Sequence, residues 1–186
     1  MALAAMADRQ TAWLNQKSDF VEVCPDGQNR GDFHVAKIGA CRAHFEALDA
    51  AERRLQLDYK LDSLRPPAHL QWSRRALDCR RTLLHDAVEI ASVPFCEMLL
   101  SIDADPNLPC NTDMARSAAQ SLLDNFEARK NRFSWLNEAN VSDIAALFVA
   151  SGRLSDEDKQ GMLREAETQG LAAVAARLRG LGMSLA

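Results

Sequence analysis

The sequence predicts an all-α fold. Residues with high helix propensity (alanine, leucine, arginine and glutamate) dominate the 186-residue chain, whereas β-formers are sparse and there is a single tyrosine. Residues 33–64 contain almost no helix-breaking residue. Residues 82–107 have the pattern of two short helices and a polar turn, a unit that buries its apolar face only when neighbours stack on it. These observations together favour a stack of helices.

Composition limits the compartment and the class of ligand. The chain is 47% hydrophobic and 26% charged, and its net charge of −4 gives no general attraction to nucleic acid or to anionic membranes. No stretch approaches the roughly 18 apolar residues that a membrane span needs. The apolar start is interrupted by Asp8 and Arg9 and lacks the basic region of a signal peptide. We expect a cytoplasmic protein that binds neither nucleic acid nor membrane; delivery into a host cell stays open.

The five cysteines show no close pairing pattern, and their number is odd. Reduced thiols that act mostly as small core residues are therefore expected. They are Cys24, Cys41, Cys79, Cys96 and Cys110.

The N-terminal part is predicted to be helical. The Pro/Gly/Asn/Asp-rich residues 24–32 predict a loop between a short helix at about residues 7–15 and a long helix within 33–64. Prolines at residues 65–67 end that helix. Apolar residues at helical spacing predict its buried face, made of Cys41, Phe45, Leu48, Leu55 and Tyr59.

Two short matches carry a family resemblance. "TLLHDAV" at residues 82–88 resembles the T-P-L-H-x-A signature of the ankyrin repeat, and "LLSIDADPN" at residues 99–107 resembles the usual end of such a repeat, L-L-x-x-G-A-D-x-N. The resemblance implies that the threonine hydroxyl and the histidine side chain lock a turn and link neighbouring units. The residues given a structural signature role in this unit are Thr82, His85, Ala87, Asp105 and Asn107.

The same unit departs from the family pattern at two positions. Leu83 replaces the proline that normally opens the first helix, and Asp103 replaces the terminal glycine. Aspartate tolerates the left-handed backbone conformation better than most residues, so the turn is expected to survive.

Further units are predicted downstream. Thr112 lies 30 positions after Thr82 and starts a similar order of threonine, apolar and small residues. Residues 144–152 resemble a second helix that ends at Gly152, so the segment near 124–142 is interpreted as an insertion.

A last pair of helices is predicted from residues 161–170, ending at Gly170, and from residues 171–178. The acids at 156–158, after Ser155, predict the start of the first of these helices, because acids favour the positive end of the helix dipole. The predicted division is therefore a helical N-terminal extension or capping region at 1–79 and about three ankyrin-like repeats at 80–182.

Catalysis is not the favoured interpretation. His85 beside Asp86 or Cys79 could act as a base, but the repeat signature gives His85 a structural role. The sequence has no phosphate-binding glycine loop, nucleophile elbow or zinc-protease motif. We expect a non-enzyme.

A metal site is the alternative that stays open. Cys41 and His44 lie at i and i+3 of a predicted helix and could share an ion with His34 or Cys24. Zinc sites usually show two close ligand pairs, and only one is present. No metal or cofactor is expected, and a small Cys/His metal-binding protein or enzyme is the alternative.

Basic and aromatic residues mark the candidate partner-binding surfaces. Residues 126–136 are basic and aromatic in an acidic protein, insertions in repeats often line the binding face, and tryptophan and arginine are enriched at interface hot spots. The alternative is an ordinary solvated face together with a lengthened helix packed into the core. The candidates are Arg74, Arg75, Arg116, Arg129, Lys130, Arg132, Phe133 and Trp135.

The function predicted from the sequence is a non-catalytic protein–protein interaction module. The alanine- and arginine-rich composition suggests a bacterial gene, which favours an adaptor, regulator or inhibitor of the immunity or effector type. Its partner would be a toxin, a secretion-system component or a host target. Self-association through the helix within 33–64 is a further hypothesis, but its apolar face is short for a coiled coil, so a monomer is favoured over a homodimer.

Overall fold

The computed structural model describes residues 30–58, 81–110, 115–124, 126–132 and 136–184, and these ranges are all-α, as predicted. One isolated antiparallel bridge, between Pro109 and Ser117, is the β-pairing within them. None of the helices in these ranges is long and apolar enough to cross a membrane. The helices are α1 Arg30–Glu46, α2 Ala50–Leu57, α3 Leu83–Glu89, α4 Val93–Ser101, α5 Ala118–Ser121, α6 Phe126–Arg132, α7 Glu138–Ala150, α8 Asp156–Thr168 and α9 Ala172–Gly180.

The helices form two layers. In the first layer α5 packs between α3 and α8, and in the second layer the order is α1, α4, α7, α9. The pairs α3–α4 and α8–α9 join the layers. Helices can therefore bury their apolar sides between the layers, and α3 is buried on all sides from Leu83 to Val88.

One hydrophobic core runs through the described ranges. It includes Cys41 and Phe45 of α1, so this N-terminal helix shares the core of the later segments. Phe126 at the start of α6 is also buried, which anchors this helix to the same core. The largest fully buried side chains include Phe45, Phe126, Phe148, Met98, Met162 and Ile144.

Each first-layer helix begins at a hydroxyl residue. The hydroxyl accepts the backbone N–H of the third helical residue, which satisfies a donor that has no partner inside the helix. The capping residues are Thr82, Ser117 and Ser155.

Left-handed residues follow three of the four second-layer helices, α4, α7 and α9. Asp103 follows α4 with φ +73°, Gly152 follows α7 with φ +67°, and Gly182 follows α9 with φ +87°. A left-handed residue just past a helix lets the chain reverse direction while the last carbonyls still find donors. Asp103 therefore adopts the conformation that the sequence comparison required of it.

The long helix predicted within residues 33–64 is broken. Residues 47–49 interrupt it, and the Asp49 carboxylate accepts the N–H of Glu52 at 2.8 Å to start α2. The break shifts the helical phase, so Leu55 is 61% exposed although it was predicted on the buried face, and Leu57 is buried instead.

Some of the remaining predictions for the N-terminal half concern described residues, and the others concern residues outside the described ranges. Cys41 and Phe45 are buried as predicted and Leu48 is half-buried, but α1 begins at Arg30, inside the predicted loop. Tyr59, Cys24, Cys79, the predicted helix at 7–15 and the prolines at 65–67 lie outside the described residues.

The middle segment has a different register from the predicted one. Its first helix is capped by Ser117, whereas Thr112, the predicted start, lies outside the described residues. The segment predicted as an insertion, near 124–142, includes the start of α7, which begins at Glu138 and is capped by Asn137. The signal missed was "SAAQ" at 117–120, a capping box in which hydroxyl and amide side chains each satisfy the other residue's N–H.

The first helix of the last pair begins where Ser155 and the acids after it predict. This helix, α8, starts at Asp156, five residues before the match at Gly161, because Ser155 and the acidic first turn form a complete helix start. Gly170, with φ +69°, separates α8 from α9.

Candidate functional site

His85 connects two helix starts in the first layer. Its Nδ1 lies 2.8 Å from the Thr82 hydroxyl and accepts the Thr82 N–H at 3.3 Å. Its Nε2 lies 3.1 Å from the Arg116 carbonyl, just before the cap of α5. Since Nδ1 accepts a backbone N–H, the ring proton belongs on Nε2, which donates to Arg116. Both ring nitrogens of His85, which is 2% exposed, are thus engaged in holding α3 and α5 together.

A second link joins α5 to α8. The Ser117 hydroxyl accepts the Gln120 N–H at 3.1 Å and donates to Oδ1 of the buried Asp158 at 3.0 Å. The Asp158 N–H is in turn bonded to the Ser155 hydroxyl at 3.0 Å. The start of each first-layer helix is therefore hydrogen-bonded to the start of the next.

Asn107 connects the loop that follows α4 to the loop between α7 and α8. Asp105 Oδ1 accepts the Asn107 N–H at 2.9 Å, which orders the turn. The Asn107 amide donates to the Arg153 carbonyl at 2.7 Å and accepts the Ser155 N–H at 2.9 Å. Both signature residues of this turn thus fix the position of the cap of α8.

Arg129 is a structural residue and corrects one of the predicted partner contacts. Its side chain from α6 is buried, with the residue 7% exposed. The guanidinium donates to Val88 O at 2.6 Å, Glu89 O at 3.1 Å, Ser121 O at 3.2 Å and Leu122 O at 2.8 Å. Desolvation by burial lowers the pKa of Arg129, and the Glu89 carboxylate, 3.6 Å from Nε, opposes that shift. Arg129 therefore caps the carboxyl ends of α3 and α5 and is not available to a partner.

Two other predicted contact residues, Lys130 and Arg116, are partly exposed and each pairs with an acidic side chain. Lys130 is half-exposed, lies 3.7 Å from Glu127 and sits over the Phe126 ring at 5.9 Å. Arg116 is one-third exposed and pairs with Asp124 at 3.1 Å.

Part of the predicted set lies outside the described residues. Arg132 ends α6, and its side chain is not described. Leu136, at the end of the insertion, is buried. The candidates outside the described residues are Arg74, Arg75, Phe133 and Trp135.

A polar groove opens between α5 and α8, with a volume of about 470 Å³. Because α5 has four residues and α8 has thirteen, α5 covers only part of α8, and within the described ranges no other first-layer helix packs against it. Arg116 and Gln120 line the α5 side. The α8 side is lined by Asp156, Glu157, Gln160, Gly161, Arg164 and Glu165.

The charges of the groove fall into two groups. Arg116 is paired with Asp124, and Lys159 lies 2.8 Å from Asp156 and lowers the pKa of that carboxyl. Glu157 and Arg164, by contrast, form no ion pair with any residue in the described part of the chain. Glu165 also lines the groove without an ion pair in the described ranges, and its carboxylate accepts a hydrogen bond from the Gln169 amide.

Comparisons with protein-family models, with curated proteins and with solved structures found no match.

The metal-site hypothesis depends on residues of α1. Burial raises the pKa of the Cys41 thiol to about 12, which disfavours the thiolate that a metal binds. The His44 Nε2 lies 2.6 Å from the Gln56 side-chain oxygen. Within the described ranges no group of three His, Cys, Asp or Glu side chains has the geometry of a metal site. The His34 side chain is not described.

Proposed function

We propose that this protein is an ankyrin-like helical stack that binds another protein and has no catalytic activity of its own. The observation that supports it most strongly is the polar groove between α5 and α8, whose lining comes from two successive segments. The supporting sequence observation is the resemblance of residues 82–88 and 99–107 to the ankyrin repeat.

The rigidity of the groove favours binding. Its two helices start at Ser117 and Ser155, and the Ser117–Asp158 hydrogen bond fixes one start against the other. Arg129 fixes the far end of α5 through its bonds to Ser121 and Leu122. A surface held in one arrangement loses little conformational entropy on binding, so more of the interaction energy contributes to affinity.

The chemistry of the groove also suits a protein ligand. Amide, guanidinium and carboxylate side chains line the groove, whereas pockets for small ligands are lined mostly by apolar side chains. The partner classes remain those expected from the sequence: a toxin, a secretion-system component or a host target.

The test is site-specific photocrosslinking in lysate of the source cells. A photoreactive amino acid replaces Gln160 in the groove or, as a matched control, the exposed Arg42 of α1. We expect one dominant protein crosslinked from position 160 and not from position 42, and its loss when Gly161→Arg fills the groove. Equal crosslinking from both positions, or none from position 160 while the protein stays folded by circular dichroism, would refute the proposal.

A further inference from the structure

Two of the described side chains of α6 hold this helix to the stack. Phe126, its first residue, is 2% exposed, and Arg129, about one turn later, is 7% exposed. Because residues three positions apart lie on the same face of a helix, both side chains belong to one narrow face. The exposed side chains of α6 are those of Glu127, Ala128, Lys130 and Asn131.

The two layers do not depend on α6 for their mutual packing. Within the described ranges, the extensive helix–helix packing joins α1, α3, α4, α5, α7, α8 and α9 and does not include α6. The Arg129 side chain instead reaches the carboxyl ends of α3, at Val88, and of α5, at Leu122. The layers can therefore keep their own contacts when α6 leaves them.

The hold of Arg129 is weaker than the number of its hydrogen bonds suggests. Its Nε has no hydrogen-bond acceptor in the described part of the chain, and the nearest carboxylate oxygen of Glu89 is 3.6 Å away. The guanidinium has also lost its hydration, a cost that offsets much of what a buried charge gains from its partners. Release of α6 returns water to the guanidinium and to the four carbonyl groups that it bonds. Solvent thus compensates part of the lost contacts.

We propose that α6 is a strap that detaches as a unit, releasing Phe126 and Arg129 into solvent while the helices of the two layers stay folded. Segments with few buried contacts open at a lower free energy than the whole domain. Detachment also breaks the bonds of Arg129 to Ser121 and Leu122, which end α5 at one side of the groove. This inference goes beyond the proposed function and does not depend on it, since detachment needs no partner.

The test is chemical modification of the wild-type protein at urea concentrations below its unfolding transition. Phenylglyoxal reacts with Arg129 only when its terminal nitrogens leave their carbonyl partners. N-ethylmaleimide reacts with Cys96 of α4, which is fully buried, only when the stack opens. Mass spectrometry follows both sites, and the exposed Arg42 of α1 corrects for any effect of urea on phenylglyoxal. The increase of each rate with urea measures the surface that the opening exposes.

The logarithm of the Arg129 rate should rise with urea at less than about half the slope of the Cys96 rate, because only α6 leaves the stack. A steeper rise at Arg129 would overturn the inference, since the guanidinium would then be released by unfolding of the stack itself. An Arg129 rate that depends on urea no more than the Arg42 rate would also overturn it. In that case the guanidinium would be accessible without detachment of α6.

Discussion

The Nε2 of His85 lies 3.1 Å from the main-chain carbonyl of Arg116, so the residue that completes the cap of α3 also holds the residue before the cap of α5. Ser117 continues the chain of contacts through its bond to Asp158 of α8. Local helix capping and the stacking of successive helices are thus the same set of hydrogen bonds. Their loss should affect stability across the stack.

His85→Ala should lower the free energy of unfolding by about 2–3 kcal/mol, because it removes three side-chain hydrogen bonds and leaves a buried space. His85→Gln should lose about half as much, since Gln120 forms the equivalent bond to its own cap at Ser117. Urea unfolding followed by circular dichroism measures both values. A loss below about 0.5 kcal/mol for His85→Ala would show that these bonds contribute little.

Arg129→Ala should lower the free energy of unfolding by about 3 kcal/mol, because four carbonyl groups at two helix ends lose a charged donor. Arg129→Lys should lower the free energy of unfolding by nearly as much, since one ammonium group cannot reach both helix ends. The neighbouring Lys130→Ala is the control, and its exposed contacts predict a change within about 0.5 kcal/mol. Similar losses at positions 129 and 130 in urea titrations would contradict this role.

Replacement by alanine should change the free energy of unfolding in opposite directions at Gly161 and Gly152. Gly161→Ala should raise the free energy of unfolding by about 0.5–1 kcal/mol, because position 161 is helical and has open space for a Cβ. Gly152→Ala should lower it by about 1–2 kcal/mol, because Gly152 has φ +67° and alanine is strained there. Melting temperatures and urea midpoints of the two variants test the pair, and a destabilising Gly161→Ala would argue against the open groove wall.

The buried thiols make stability fall at alkaline pH. Burial raises the pKa of Cys41 to about 12 from 9.0 and also raises the pKa of Cys96. Above pH 9 the unfolded chain loses these protons while the folded chain keeps them, so the free energy of unfolding decreases with pH by up to about 1.4 kcal/mol per pH unit and thiol. The stability that the protonated buried thiols contribute is fully present below the pKa of the thiols in the unfolded chain.

Cys96→Ala isolates this effect. Between about pH 8 and about pH 10 its free energy of unfolding should fall by about 1.4 kcal/mol less than that of the wild type, because one titrating thiol is gone. Urea unfolding at the two pH values gives the difference. Equal pH dependence in both proteins would mean that the Cys96 thiol ionises in the folded state.

Much of the local structure could be predicted from the sequence. The pair α3–α4 follows from apolar spacing, from the Thr82 cap and from Pro94 in the first turn of α4. The left-handed turn at Asp103 follows from its place in the repeat pattern. The start of α5 was missed although its Ser117 capping box was visible, because the interpretation placed the unit at Thr112.

Arg129 shows the limit of sequence reasoning. A basic residue in a charged insertion resembles a surface contact, and sequence spacing does not bring it near Val88. Only the packing of α6 against the ends of α3 and α5 gives it four carbonyl partners. The Leu55 prediction was wrong for a related reason, since the break at 47–49 changed the face of every later residue.

The sequence by itself determined the all-α class, the helix pair at 83–101 and the residues that cap it, because helix propensity, capping and turns depend on neighbours a few positions apart. Only the tertiary structure decided the order of the two layers, the burial of Arg129 and the groove beside Gly161. These features depend on which helix ends meet in space, and a four-residue α5 leaves a gap that no local pattern specifies.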